Sequence, residues 1–108
     1  MKMLQGTRIL DLGAFITGPF AALLLAEMGA DVIKVEWPTK GDKFRADEQG
    51  LYSPQFQAHN RDKRSITLDY SIPAGREVLH RLVRSADALI SNSRPGVMEK
   101  VGADYASL

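Results

Sequence analysis

The sequence contains no cysteine, and this absence excludes two kinds of site at once. A disulfide framework and a thiolate metal site both require cysteine. The two histidines, His59 and His80, do not have the spacing of metal ligands, and no Ser-His-Asp order can be assembled from the chain. We therefore expect no metal site. The composition suits a reducing cytoplasm.

Long apolar runs and an excess of one charge are also missing. The longest apolar run, Phe20 to Ala26, covers seven residues, whereas a membrane-spanning helix needs about 20. The N-terminal stretch MKMLQGTRILDL has no long apolar segment behind its single lysine, which makes it a poor signal peptide. Lysine and arginine number 14 against 13 acidic residues, and nucleic-acid binders usually carry a clear basic excess. These absences predict a soluble domain that binds neither a membrane nor nucleic acid.

The residues that are present alternate between short apolar runs and helical segments. Residues 8–12 and 31–36 predict two strands, and the alanine- and leucine-rich segment from Pro19 to Met28 predicts the helix between them. Two more strands are predicted at 65–69 and 88–91, with a helix at 73–86 between them and the start of another at Val97. Pro38 to Asp62 is polar and aperiodic, which predicts a long loop.

Short strands separated by helices are typical of an α/β fold. We expect residues 1–108 to form one domain, a Rossmann-like parallel sheet with helices on both faces. Four strands leave a sheet edge open, and an open parallel edge is unstable unless something covers it. The sheet is therefore expected to be incomplete.

Ligands of parallel sheets bind beyond the carboxyl ends of the strands, and unusual residues gather there. The turn from Gly13 to Pro19 could direct N–H groups at a phosphate or be a structural turn, because its glycines do not form a G-x-G-x-x-G pattern. The segment NRDKRS (60–65) has three cations in four positions, which would be a phosphate-binding patch or a solvated loop. Arg94 and Lys100 allow the same two interpretations.

Other charged residues have plainer interpretations. His59 has no identifiable partner in the predicted loop, and His80 is expected at the surface of the second helix. Three aspartates near the presumed binding edge either orient a ligand or cap a loop: Asp11, Asp42 and Asp69. Three arginines opposite the apolar stripe of the second helix are expected on a solvated face: Arg76, Arg81 and Arg84.

Four blocks of the sequence, taken in order, resemble the class III CoA-transferase family. They are LQGTRILDLGAFITGPFAALLLAEMGADVIKVE, GDKFR, NRDKRSITLDY and PAGREVLHRLVRSADALISNSRPGVMEKVG, and together they cover nearly the whole chain. Members of this family include formyl-CoA and carnitine-type CoA-transferases and the related 2-methylacyl-CoA racemases.

The resemblance implies an enzyme several hundred residues long that forms an interlocked homodimer, with this chain as its N-terminal Rossmann-like part. It implies transfer of coenzyme A between an acyl-CoA and a carboxylic acid through an aspartyl intermediate, with a nucleophile beyond these residues. We therefore expect no catalytic residue here and no activity of the fragment alone. Two alternatives stay open: a 2-methylacyl-CoA racemase of the same family, and a non-catalytic nucleotide-binding α/β module.

The resemblance also implies which positions contact coenzyme A. Ser71 stands where relatives often have lysine, and Trp37 stands where an arginine is common, so Trp37 either stacks on adenine or simply packs. The implied cofactor-binding residues follow the four strands: Phe15, Ile16, Thr17, Trp37, Leu68, Asp69, Tyr70, Ser71, Asn92, Ser93, Arg94 and Lys100.

Overall fold

A computed structural model of the chain describes residues 2–39, 41–45 and 53–108, and its centre is a four-stranded parallel sheet. The strands are β1 (Arg8–Asp11), β2 (Asp31–Glu36), β3 (Arg64–Thr67) and β4 (Ala88–Ile90), in the order β3-β2-β1-β4. β1 is therefore a central strand, hydrogen-bonded to β2 on one side and to β4 on the other. The parallel sheet predicted from the alternating apolar runs is confirmed.

In the part of the chain that the structure describes, four helices and one short 3-10 turn connect or follow the strands. They are α1 (Thr17–Glu27), the 3-10 turn Lys43–Arg45, α2 (Pro54–His59), α3 (Pro73–Arg84) and α4 (Val97–Lys100). The helices predicted at 19–28, 73–86 and after Val97 are present, although α1 begins at Thr17 instead of Pro19. None of the helices in the described ranges is long and apolar enough to cross a membrane.

The long loop predicted from Pro38 to Asp62 is wrong in its last part, because α2 lies there, and its residues 40 and 46–52 lie outside the described residues. The Ser53 side chain accepts a hydrogen bond from the Phe56 N–H at 3.1 Å, and Pro54 occupies the first turn. At the other end the Asn60 amide donates to the Phe56 carbonyl at 2.8 Å. These caps suit a helix start and stop. Six residues are too few to show an apolar period, so the sequence pattern does not reveal them.

Helices cover both faces of the sheet, which confirms the predicted arrangement. On one face α3 and α4 pack against a cluster of buried residues that contains Leu10, Leu12, Ile33, Val35 and Leu79. On the other face α1 packs against a second cluster, which contains Ile9, Ala22, Ala26, Ala30 and Val32. Neighbouring residues of β1 and β2 alternate between the two clusters because successive side chains of a strand point to opposite faces.

The α1 face of the sheet changes from apolar to ionic along the strands. Ile9 and Val32 lie near the amino ends of β1 and β2, and two positions further on the same face holds Asp11 and Lys34. Glu36 continues this row, and all three charged residues are buried. The carboxyl end of the sheet therefore rests on buried charges on one side and on an apolar cluster on the other.

Candidate functional site

A cleft of about 850 Å³ opens at the carboxyl edge of the sheet. Its walls are the turn after β1 (residues 12–15), the end of β2 with the segment that follows it (34–39 and 41–43), and the loop after β4 (92–94). Tyr70 and one side of α4 complete the lining. This is the edge at which parallel sheets bind ligands, and it is where the sequence predicts the site.

The structure brings half of the predicted cofactor residues together in this cleft. Phe15, Trp37, Tyr70, Asn92, Ser93 and Arg94 line it. The remaining six do not: Ile16, Thr17, Leu68, Asp69, Ser71 and Lys100.

Those six residues have other positions in the fold. Leu68 packs against the apolar cluster under α3. The Asp69 carboxylate accepts the Ser71 N–H at 3.0 Å and so caps the turn before α3. Ile16 and Thr17 lie at the start of α1, and Lys100 is exposed on α4.

An aromatic pair forms one wall of the cleft. The rings of Trp37 and Tyr70 are stacked, with centroids 4.3 Å apart and planes at 29°. Tyr70 is buried, and this burial raises the pKa of its phenol, so the ring stays neutral. Trp37 is 39% exposed. The partly exposed Trp37 ring therefore offers the cleft a flat aromatic surface, and the buried Tyr70 ring supports it from behind.

The turn after β1 is held by side chains and does not have its first N–H groups available for a phosphate. Three consecutive N–H groups donate to side-chain oxygens from three different segments: Gly13 to Asp11 at 2.8 Å, Ala14 to Asn92 at 2.9 Å and Phe15 to Asp42 at 3.1 Å. Of the two interpretations of this turn, the structural one fits residues 13–15.

Asn92 and two glycines fix the shape of the same turn. The Asn92 amide donates to the Ala14 carbonyl at 2.9 Å and to the Thr17 hydroxyl at 3.0 Å. A Cβ on Gly18 would lie 2.8 Å from the Asn92 Oδ1, and one on Gly13 would lie 2.9 Å from the Gly18 Cα. The two glycines are needed for this close approach. Asn92 lines the cleft, but its side-chain amide already makes hydrogen bonds to Ala14 and Thr17 of the protein.

Four charged side chains form a buried ion cluster beneath this turn: Asp11, Lys34, Asp42 and Lys63. The Lys63 Nζ lies 2.8 Å from the Asp11 Oδ2, and the Lys34 Nζ lies 2.9 Å from the Asp42 Oδ2. A longer contact of 3.7 Å joins Lys34 to Asp11. All four side chains are almost completely buried. Two cations thus balance two carboxylates, as burial of charge requires.

Lys63 is the member of the buried ion cluster that the sequence suggests as a phosphate ligand, and the structure gives it an internal role. Besides Asp11, its ammonium donates to the Pro19 carbonyl at 2.9 Å and to the Asn60 side chain at 2.8 Å. Burial lowers the pKa of Lys63 below its ordinary value, although hydrogen bonding to Asp11 opposes this. Three donors with three acceptors leave it no capacity for a ligand.

The other two cations of NRDKRS also have protein partners. Arg61 pairs with Glu27 at 2.8 Å, and Arg64 pairs with Asp31 at 2.6 Å. Neither arginine is among the described residues that line the cleft. Arg64 lies at the amino end of β3, which is the opposite edge of the sheet. The interpretation of this segment as a phosphate patch is therefore not supported.

A second ionic group supports the segment after β2. Arg45 makes two hydrogen bonds to the Glu36 carboxylate, at 2.8 and 3.0 Å, and the Ser65 hydroxyl adds a third at 3.0 Å. Burial alone would raise the pKa of Glu36, but the Arg45 hydrogen bond and charge outweigh it and hold the pKa below its ordinary value. Glu36 is therefore ionised at neutral pH and ties β2 to the 3-10 turn.

Comparison with known proteins decides the family. Residues 4–108 match CoA-transferase family III. The chain belongs to CoA-transferase family III.

Two curated relatives illustrate the match. A succinate–glutarate CoA-transferase of Agrobacterium fabrum is 43% identical over 114 residues, which cover 97% of this chain and 28% of that protein. A formyl-CoA:oxalate CoA-transferase of Rhodopseudomonas palustris is 48% identical over 104 residues, which cover 94% of this chain and 24% of that protein. The chain thus spans about a quarter of the length of these family III relatives.

A solved structure shows the same fold. Rv3272 of Mycobacterium tuberculosis superposes with a TM-score of 0.91 at 37% identity, over 100% of this chain and 30% of that one. In Rv3272 the region that matches this four-stranded sheet belongs to a longer chain. The incomplete sheet expected from the sequence agrees with this partial coverage.

The charged residues and the histidine of α3 in this family III chain are exposed only in part as the sequence predicts. Arg81 and Arg84 are exposed as expected, whereas Arg76 is half-buried, with its Nη2 3.4 Å from the Ser71 carbonyl. His80 is also half-buried, and its Nε2 donates to the Gly102 carbonyl at 3.0 Å. Arg76 and His80 are not on a solvated face, because the turn after α4, at Gly102, packs against both side chains.

His59 has the partners that the predicted loop could not supply. Because it lies on α2, its Nδ1 reaches the Gln55 carbonyl at 2.7 Å. Its ring packs against Phe20 and Phe44 at centroid distances of 6.1 and 5.8 Å. In the parts of the chain that the structure describes, no three His, Asp or Glu side chains are grouped so that they could hold a metal ion.

Sequence analysis missed three charged residues of the site: Lys34, Glu36 and Lys43. Lys43 lines the cleft and is exposed. Lys34 and Glu36 alternate with Ile33 and Val35 in a strand that is covered on both faces. A signal was present, because a charged residue in a doubly covered strand has to be buried and paired.

Proposed function

We propose that the full-length protein is a CoA-transferase that moves coenzyme A between an acyl-CoA thioester and a carboxylic acid, and that the cleft holds the CoA moiety. The family match over residues 4–108 carries this proposal. It is supported by relatives named as succinate–glutarate and formyl-CoA:oxalate CoA-transferases. We further propose that the protein is cytoplasmic, which its cysteine-free composition suits, and homodimeric, as the resemblance implies.

The described lining of the cleft fits coenzyme A chemically. An adenine ring is held by stacking on flat aromatic groups, and Trp37 is backed by Tyr70 in this wall. The phosphates need cations, and arginine or lysine pairs well with phosphate oxygens. Three cations line the described part of the cleft. Lys34 is paired with Asp42, whereas Lys43 and Arg94 are exposed and are our proposed phosphate contacts.

The nucleophile of the transfer is proposed to come from outside these 108 residues. Glu36 and Asp42 are the carboxylates among the described residues that line the cleft. Arg45, Ser65 and the Asp42 N–H hold the two oxygens of Glu36, and Lys34 and two backbone N–H groups hold those of Asp42. A carboxylate held in this way is a poor nucleophile. The proposed aspartate attacks the thioester carbonyl and expels the CoA thiolate, which leaves a mixed anhydride. The thiolate then attacks the aspartyl carbonyl and releases the first carboxylate, which gives the aspartyl-CoA thioester.

A transfer assay with the full-length protein tests the function. Succinyl-CoA and formyl-CoA are offered as donors to a panel of carboxylic acids, and the acyl-CoA products are separated by chromatography. Formation of the acceptor's CoA thioester supports the proposal. The same protein is incubated with a 2-methylacyl-CoA in D₂O, and α-deuteration without transfer would instead identify a racemase. Binding of CoA with neither reaction would favour the non-catalytic module.

Single substitutions test the cleft. Arg94→Ala and Lys43→Ala are each expected to weaken CoA binding by about tenfold, which corresponds to one lost charged hydrogen bond. Lys100→Ala tests the predicted contact that lies outside the described lining. Arg84→Ala on the exposed side of α3 is the matched control and should leave the affinity unchanged. Calorimetric titration with CoA and dephospho-CoA measures the effect. Equal affinities for wild type, Arg94→Ala and Lys43→Ala would remove these cations from the site.

A further inference from the structure

One buried carboxylate joins two walls of the cleft. The Asp42 Oδ1 accepts the Phe15 N–H at 3.1 Å and the Phe44 N–H at 2.9 Å. Phe15 belongs to the turn after β1, and Phe44 belongs to the 3-10 turn after β2. Although Asp42 is part of the cleft lining, its side chain is almost completely buried. It can therefore act on a ligand only through the backbone that it holds.

The turn needs this support because Phe15 has an unfavourable backbone conformation. Its φ of 64° lies in the left-handed region, which is unfavourable for a residue other than glycine. The Phe15 ring also packs edge-on against Phe44, with centroids 5.7 Å apart. Two contacts, one to the backbone and one to the ring, thus fix Phe15 relative to the second wall.

Asp42 is itself held in place by Lys34 and Glu36. The Lys34 Nζ lies 2.9 Å from the Asp42 Oδ2, and it also donates to the Gly13 carbonyl at 3.1 Å. The Asp42 N–H donates to the Glu36 Oε1 at 3.3 Å. Lys34 and Glu36 belong to β2, so their contacts fix the position of the Asp42 carboxylate relative to this strand. The turn after β1 is positioned against the sheet through this chain of contacts.

We propose that Asp42 is a positioning residue for coenzyme A. It sets the distance between two walls of the cleft, the turn after β1 that contains Phe15 and the segment after β2 that contains Lys43, without touching the ligand. This inference rests on the proposed function. It predicts that loss of the carboxylate's acceptor oxygen weakens CoA binding even where the fold is retained. A purely structural role would change stability alone.

Two substitutions separate these roles. Asp42→Asn and Asp42→Leu introduce side chains of similar size, and both leave the buried ion cluster with the same excess of one positive charge. Only Asn keeps an oxygen that can accept the Phe15 and Phe44 N–H groups. A difference between the two variants therefore reports on the acceptor and not on the lost charge.

The test is made on the full-length protein by calorimetric titration of CoA and by hydrogen exchange of peptides that cover residues 13–16 and 43–45. We expect Asp42→Leu to bind CoA about tenfold more weakly than Asp42→Asn, with faster exchange in both peptides. In the transfer assay the KM for acyl-CoA should rise with little change in kcat. Equal CoA affinity in the two variants would overturn the inference, and equal affinity with faster exchange in Asp42→Leu would show that the role of Asp42 is purely structural.

A second background keeps the comparison decisive if Asp42→Leu does not fold. Lys34→Met removes the excess charge, and the pair Lys34→Met/Asp42→Asn and Lys34→Met/Asp42→Leu then differs only in the acceptor. Replacement of a buried ion pair by apolar residues is often tolerated. Should the wild type fail to bind CoA, the proposed function falls, while the exchange comparison still decides whether Asp42 positions the turn.

Discussion

Lys63 and Arg64 are neighbours in the sequence and carry the same charge, yet their ion pairs lie in very different surroundings. Lys63 is 2% exposed and reaches Asp11 at the carboxyl edge of the sheet. Arg64 is 63% exposed and pairs with Asp31 at the amino edge. The first pair is part of the buried ion cluster under the cleft, and the second is part of a surface network with Arg8.

From this difference we expect burial, more than residue type, to decide how much each ion pair contributes to stability. Removal of one partner of a buried pair leaves an unpaired charge in the protein, at a cost of about 3–5 kcal/mol. A surface pair contributes roughly 0–1 kcal/mol, because water and salt screen it. The carboxyl edge is therefore fixed by charges that depend on one another, which suits a binding site. The amino edge carries charges that the fold can lose.

The largest expected effect is that of Lys63→Met. It leaves the 3.7 Å contact to Lys34 as the ion pair that remains to Asp11 among the described residues, and we expect the opening free energy of β1 to fall by about 3–5 kcal/mol. Native-state hydrogen exchange of the full-length protein measures this quantity for the β1 amides.

Arg64→Met is the matched control for this substitution. The removed side chain is similar in length, and the expected change is below about 1 kcal/mol. Equal losses for the two variants would show that burial does not distinguish the two edges.

A smaller effect on stability is expected from a change of pH. This effect should also differ between a buried carboxyl, Glu36, and a more exposed one, Asp31. The pKa of Glu36 lies below its ordinary value of 4.5, so its contribution to stability is present above pH 4.5 and is lost as the pH falls through the lowered pKa. The difference in melting temperature between wild type and Glu36→Gln should have its largest value at pH 7 and should decrease below pH 4.5.

Asp31 provides the comparison at the exposed edge. The Arg64 hydrogen bond, followed by that of Arg8, lowers the pKa of Asp31 from 3.8, so its contribution is lost in the same direction. Because Asp31 is more exposed, Asp31→Asn should give a smaller difference at pH 7 than Glu36→Gln. A larger one would contradict the ranking of the two edges.

The smallest effect is that of salt. At about 1 M NaCl the Debye length is roughly 3 Å, so the effect of Arg64→Met should disappear. The effect of Lys63→Met should persist, because the buried ion cluster is closed to ions. Melting curves of both variants at low and high salt provide the measurement. Salt that abolished the Lys63→Met effect would indicate that the cluster is open to solvent.

The fold could be predicted largely from the sequence, because its signals are local. The apolar runs around Ile9, Val32 and Leu89 and the helical periods between them identify the parallel sheet. The sequence pattern does not reveal α2, because six residues hold fewer than two helical turns and the signal for its start is a cap at Ser53. The extent of a short capped helix depends on a few side-chain hydrogen bonds that composition does not reveal.

The sequence predicts which loops surround the cleft but not how their side chains pair. Trp37, Tyr70 and Arg94 line the cleft, while their contact with coenzyme A stays a prediction. The sequence does not reveal that Lys63 turns inward, because the pairing with Asp11 joins residues 52 positions apart. Partners this distant are set by the packing of α1 on the sheet. Local spacing therefore predicts which strand end carries a residue but not whether it faces a ligand or the core.

Hydrogen exchange of the full-length protein with and without CoA tests the central claim most directly. If the carboxyl edge is the binding site, saturating CoA should slow exchange in peptides that cover residues 13–17, 41–45 and 92–94. Peptides from the amino edge, around Arg8, Asp31 and Arg64, should be unchanged. Protection of the amino edge, or CoA binding that leaves all three carboxyl-edge peptides unprotected, would contradict the assignment of the cleft.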